Sequence, residues 1–112
     1  MKINSSVKDW LLESCVPIAE TASGVRHDEE ENLKYPYLVF TDIMNYDGSD
    51  EVNLFIRHSL YLYYYTESET DSTIEAWLAA QNIKFSCDKT YLDDDDCYEI
   101  EFVINEDIIT KL

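Results

Sequence analysis

A chain of 112 residues with 46% hydrophobic content supports one packed domain, because a chain of this length buries roughly two thirds of its extended surface. Lys and Arg number 8 against 24 Asp and Glu, a formal net charge of −16; that surface repels phosphates and anionic headgroups over ~8 Å at physiological salt, which argues against sequence-specific DNA binding and against membrane attachment. The N-terminus enters an amphipathic pattern with Lys8, Asp9 and Glu13 instead of a signal peptide, and the apolar runs fall far short of the ~20 residues of a membrane span, so a soluble cytosolic domain is expected.

In chain order, Ser6-Val7-Lys8-Asp9 fits a helix start in which the serine hydroxyl accepts an orphan N–H. Val7, Trp10, Leu11, Ser14 and Cys15 then recur on one helical face until Pro17 ends it. Residues 16–19 suit a short edge strand, where a missing N–H is tolerated. Residues 20–34, with Gly24 and Asp28-Glu29-Glu30-Glu31, have no periodicity and are expected to be a solvated loop. Residues 35–43 are aromatic and β-branched and predict a strand. Asn45, Asp47, Gly48, Ser49 and Asp50 predict a turn or long loop over 44–54.

Residues 55–66 predict the longest strand, with Ile56, His58, Leu60, Leu62 and Tyr64 on one face and Phe55, Arg57, Ser59, Tyr61, Tyr63 and Tyr65 on the other. The first face is expected to meet the core and the tyrosine face something wetter. A second helix starts at Ser72, with Glu75 at the reciprocal capping position, and carries Ile74, Trp77, Leu78 and Gln81 as its stripe; Asn82 is a left-handed terminator. A hairpin pairs 83–92 with 97–105 across Asp93-Asp94-Asp95-Asp96. If those four form the loop, partners sum to 189, and Phe85, Cys87 and Tyr91 share a face with Ile104, Phe102 and Tyr98, Lys89 being the misfit. The fold class that follows is α+β, a mostly antiparallel sheet of four to five strands with two helices packed on it.

Chemistry is hard to find. The four aspartates lack the alternating ligands, glycine and terminal Glu of a calcium loop. His27 and His58 have no partner at metal-ligand spacing, and His58 is expected to be a satisfied core histidine. Cys15, Cys87 and Cys97 lack CxxC spacing and are expected to be reduced, half-buried small hydrophobes; the hairpin register holds Cys87 and Cys97 ~16 Å apart. No phosphate loop or nucleophile signature is present. No enzyme, metal or cofactor is expected.

Nine tyrosines are many for this length, and tyrosine favours protein interfaces because its ring buries apolar area while its hydroxyl tolerates water. The order Tyr35-Pro36-Tyr37-Leu38-Val39-Phe40, an acidic loop, Leu60-Tyr61-Leu62-Tyr63-Tyr64-Tyr65-Thr66, an acidic helix and a terminal hairpin resembles the small tail proteins of siphophages and prophages of Gram-positive hosts. The resemblance spans about residues 16–104; the family's Gly-Ile-Pro-Val-like first strand is here Cys15-Val16-Pro17-Ile18.

It implies a non-enzymatic tail terminator or head–tail joining protein, forming a ring, commonly of six subunits, at the head-proximal end of the tail tube in the virion. Its implied partners are itself, the tail tube protein and the head–tail connector, with DNA passing through without specific binding. Subunit or partner contacts would then fall on Tyr46, Val52, Leu54, Phe55, Tyr61, Tyr63 and Tyr65, and Asp50, Glu51, Glu67, Glu69 and Asp71 would be the acids lining the bore. An alternative is an acidic phage-encoded inhibitor that mimics DNA and occupies a host nucleic-acid enzyme.

Overall fold

The computed structural model describes residues 1–20, 34–49 and 52–111, with backbone alone at 19–20, 47–49 and 52–54. The described elements run α1 (Val7–Leu12), β1 (Ile18–Glu20), β2 (Tyr37–Ser49), β3 (Val52–Thr66), α2 (Thr73–Ala80), β4 (Phe85–Leu92), β5 (Cys97–Ile104) and β6 (Ile108–Lys111). They make the expected α+β fold around one sheet of order β1-β2-β3-β5-β4. β1 lies parallel to β2, and the remaining pairs are antiparallel. β5 pairs with Tyr61–Thr66 of β3, while β6 pairs with Phe55–His58. Among the described residues the sheet has the expected mostly antiparallel build, five antiparallel strands with the parallel β1 as a sixth; β6 is only four residues long, too short to stand out in the sequence.

Both helices cover the same sheet face. Ser6 caps α1 as expected, its hydroxyl accepting from the Asp9 N–H at 3.1 Å. The helix stops at Leu12, earlier than the stripe suggests, and Cys15 takes a left-handed conformation (φ 68°) that leaves its side chain exposed. Val7, Trp10 and Leu11 of α1 and Ile74 and Leu78 of α2 meet Leu38, Phe40, Leu60, Leu62, Tyr64, Ile100 and Phe102 in one core. Trp10 and Trp77 join the helices, with ring centroids 4.9 Å apart. At ~25 cal/mol per Å² of apolar area, this core is the main source of stability.

The terminal hairpin has the expected register, Phe85↔Ile104 through Leu92↔Cys97, closed by the four aspartates. Cys97 is fully buried, but Cys87 is exposed, so the half-buried description fits neither, and all three cysteines are free thiols. Of the turn or long loop expected over 44–54, the described residues 44–49 and 52–54 are instead strand: β2 runs to Ser49 and β3 starts at Val52, with a register shift between Asp47 and Ser49. Cross-strand backbone bonding overrides the turn chemistry of Asn45, Asp47 and Gly48, and the irregularity absorbs the glycine. The short first strand lies at 18–20, two residues beyond the expected start; Pro17 precedes it and its carbonyl accepts from the Leu38 N–H at 2.9 Å. His27 and the 28–31 acid run lie outside the described residues.

Candidate functional site

The alternation of β3 divides its side chains as the sequence predicts. His58, Leu60, Leu62 and Tyr64 are buried under the helices; Phe55, Arg57, Ser59, Tyr61 and Tyr63 are half-buried on the other side. Among the described residues no helix covers that second face. Register sets Thr41, Tyr61 and Val103 in one row and Val39, Tyr63 and Glu101 in the next. Ile43 extends the surface towards the end of the β2–β3 arm and is 47% exposed. The result is a tyrosine-bearing apolar strip rimmed by carboxylates. Burial pushes the Tyr63 hydroxyl pKa up, and Glu101 and Glu99 add to the effect, so it remains a neutral donor and acceptor.

Tyr65 does not belong to that strip. It is 3% exposed, packs its ring 5.2 Å from Tyr37 and donates to Glu99 at 2.7 Å. With Tyr37, Val39 and Cys97 it forms a second small core that holds the upper end of this face. Tyr46, by contrast, is 64% exposed on β2. Phe55 sits beneath the Lys2 ammonium at 5.2 Å, a cation–π contact. Val52 and Leu54 have described backbone in β3 but no described side chains.

The expected bore acids also separate. Glu67 and Glu69 are exposed between β3 and α2. Asp71 is engaged internally: its carboxylate accepts from Tyr64 and Thr66 hydroxyls at 2.8 Å and from the Thr73 hydroxyl and N–H at 2.7 and 3.0 Å. Burial alone would raise its pKa; the hydrogen bonds from Thr73, Tyr64 and Thr66 outweigh burial and hold it below the ordinary value. Burial, with the bond to Asp71, pushes the Tyr64 hydroxyl up to about 12. Asp71 therefore belongs to the joint between β3 and α2, not to a solvent-facing acid set. Asp50 and Glu51 lie outside the described residues.

One polar group went unrecognised in the sequence. On the core face at the lower end of the sheet, His58 Nδ1 faces both Asp42 oxygens at 2.9 and 2.8 Å, and Nε2 faces Thr110 Oγ1 at 2.7 Å. Nδ1–H is placed to donate to the carboxylate, and Nε2 shares a hydrogen bond with the threonine hydroxyl whose direction depends on the tautomer. The order carboxylate, imidazole, hydroxyl is the one acyl hydrolases use; here it also satisfies both nitrogens of a 5% exposed histidine and ties β2, β3 and β6 together. His58 was expected to be satisfied, but its partners were not identified. The signal was available: Asp42 follows Leu38 and Phe40 at period two, a carboxylate on a core-facing row.

Beside this group a groove of about 570 Å³ runs between residues 3–8 and the β2–β3–β6 end, with Phe40, Met44, Ile56 and Val7 as apolar wall and Lys8 and Lys111 at its margin. No group of three or more potential metal ligands occurs among the described residues, nor is any described helix long and apolar enough to cross a membrane. No protein-family model matches the chain, and no curated protein matches it significantly.

Proposed function

We propose that the chain is a non-enzymatic structural subunit that forms a ring at the head-proximal end of a phage tail tube, as a tail terminator or head–tail joining protein. The observation that carries this reading is the one-sided sheet. Its helices bury one face, and the other face presents Tyr61, Tyr63 and Val103 half-buried and Ile43 47% exposed, with Tyr46 further out. Tyrosine in that state suits contacts that form and close in water. The outer side of β4, whose inner six residues are exposed, is a second open edge among the described residues, and edges of this kind accept a neighbouring strand.

Charge supports the same reading. Each copy brings −16, and a bore lined by Glu67 and Glu69 offers DNA no phosphate-neutralising contact, so the duplex slides without adhering. Gold-labelled protein mixed with purified tail tubes of its own phage is expected to mark one tube end in electron micrographs. Labelling along the tube wall, or none, contradicts the proposal.

A further inference from the structure

A basic cluster and an acidic turn stand at opposite ends of the sheet, with Asp42 also lining the groove and Glu106 and Asp107 preceding β6. At the β6 end stand Lys2, Lys8, Arg57 and Lys111; Arg57 pairs with Asp107 at 3.5 Å and Lys2 lies over Phe55. Lys8 and Lys111 are exposed at the groove, and among the described residues neither has a carboxylate within ion-pair distance. At the other end the β4–β5 turn carries Asp93 and Asp94, both exposed, beside Tyr91, which is 45% exposed and stacks obliquely on Tyr98. The last β3–β6 pair is His58↔Ile108 and the last β3–β5 pair is Thr66↔Tyr98. The eight steps of β3 from His58 to Thr66 span ~26 Å at ~3.3 Å each, so groove and turn cannot meet within one molecule.

From this arrangement we infer that the groove receives the β4–β5 turn of a second copy of this chain. Tyr91 supplies the aromatic anchor for the wall of Phe40, Met44 and Ile56, and Asp93 and Asp94 reach Lys8 and Lys111. The two surfaces are different patches on the same molecule, so the contact is head-to-tail, the class that closes into a ring when its rotation allows. Charge complementarity selects the occupant: a chain of net charge −16 repels its own copies except where an acidic turn meets an unpaired basic margin. The inference rests on the ring reading and specifies which surfaces build the ring.

Disulfide trapping tests it. In a background with Cys15, Cys87 and Cys97 replaced by serine, Ser5→Cys marks the groove and Thr90→Cys, exposed next to Tyr91, marks the turn end. Their separation far exceeds the ~7 Å Cα limit of a disulfide, so any bond joins two molecules. Oxidation is expected to give a ladder of dimer, trimer and higher species, at least tenfold weaker in about 1 M salt, where the screening length is ~3 Å. Lys8→Glu with Lys111→Glu should abolish the ladder, and adding Asp93→Lys with Asp94→Lys to the turn should restore it. A protein that assembles by light scattering but gives no ladder overturns the groove–turn contact and leaves the ring reading standing. A protein that gives neither, with or without tail tubes, overturns both.

Discussion

Two side-chain groups show how single residues hold this fold. His58 and Asp42 are each about 6% exposed, so removing the imidazole leaves a carboxylate with its principal partner gone. His58→Ala is expected to cost at least about 1–3 kcal/mol in urea unfolding, and Thr110→Val about 1 kcal/mol, because only one hydrogen bond is lost. A larger effect from Thr110→Val than from His58→Ala would contradict this assignment. Asp71 sets a pH dependence. Its folded pKa lies below the ordinary 3.8, so its contribution is present above that value and is lost as pH falls through the lower folded value. Asp71→Asn should therefore destabilise the protein by about 1–2 kcal/mol at pH 7, partial exposure moderating the effect. The gap from wild type should narrow as pH falls below 3.8; a gap that stays constant to pH 2 would assign the effect to packing.

The helix ends show local chemistry working at one terminus and being displaced at the other. Asn82 ends α2 as its sequence suggests, with φ 58°, Ile83 N–H donating to the Leu78 carbonyl at 3.2 Å and Asn82 N–H to that of Ala79 at 3.0 Å. Ile83 and Leu78 are both buried, completing the Schellman arrangement. At the start, Ser72 occupies the cap position but its hydroxyl makes no capping bond; Asp71, a charged and stronger acceptor, takes the Thr73 N–H. Ser72→Ala should thus cost less than about 0.5 kcal/mol, below the ~1 kcal/mol of a working cap. Asn82→Ala should cost about 1–2 kcal/mol, the left-handed penalty of a β-carbon, and Asn82→Gly close to none.

The terminal hairpin was legible because both strands sort their faces in one register. The β2–β3 arm was misread because its outer half lies beyond the helices, where polar turn formers sit in paired strands without a core to reveal them. β6 was missed for want of length, and with it the Thr110 partner of His58 and one side of the groove. The tyrosine face was legible by alternation, but not the departure of Tyr65 from it, which depends on Tyr37 and Glu99 from other strands.

On the scale of the whole molecule, the described residues form a helix-covered face, a half-buried tyrosine face, an acidic turn at one end and a groove at the other whose lysines have no carboxylate partner among the described residues. Under the proposed ring reading, those features would serve as separate contact surfaces. The proposed bore can be tested by charge: Glu67→Lys with Glu69→Lys adds basic groups at exposed positions, and phage carrying both should eject DNA more slowly in a fluorescence ejection assay, whereas unaltered infectivity would remove these residues from the bore.

The central claim is that copies of this chain close into a ring at a tail tube. Light scattering of the purified protein, alone and then mixed with assembled tubes, tests it most directly. A mass of several subunits is expected, either in solution or acquired at the tube end in a fixed small number. A protein that stays at 13.1 kDa and ignores tubes at every concentration contradicts it.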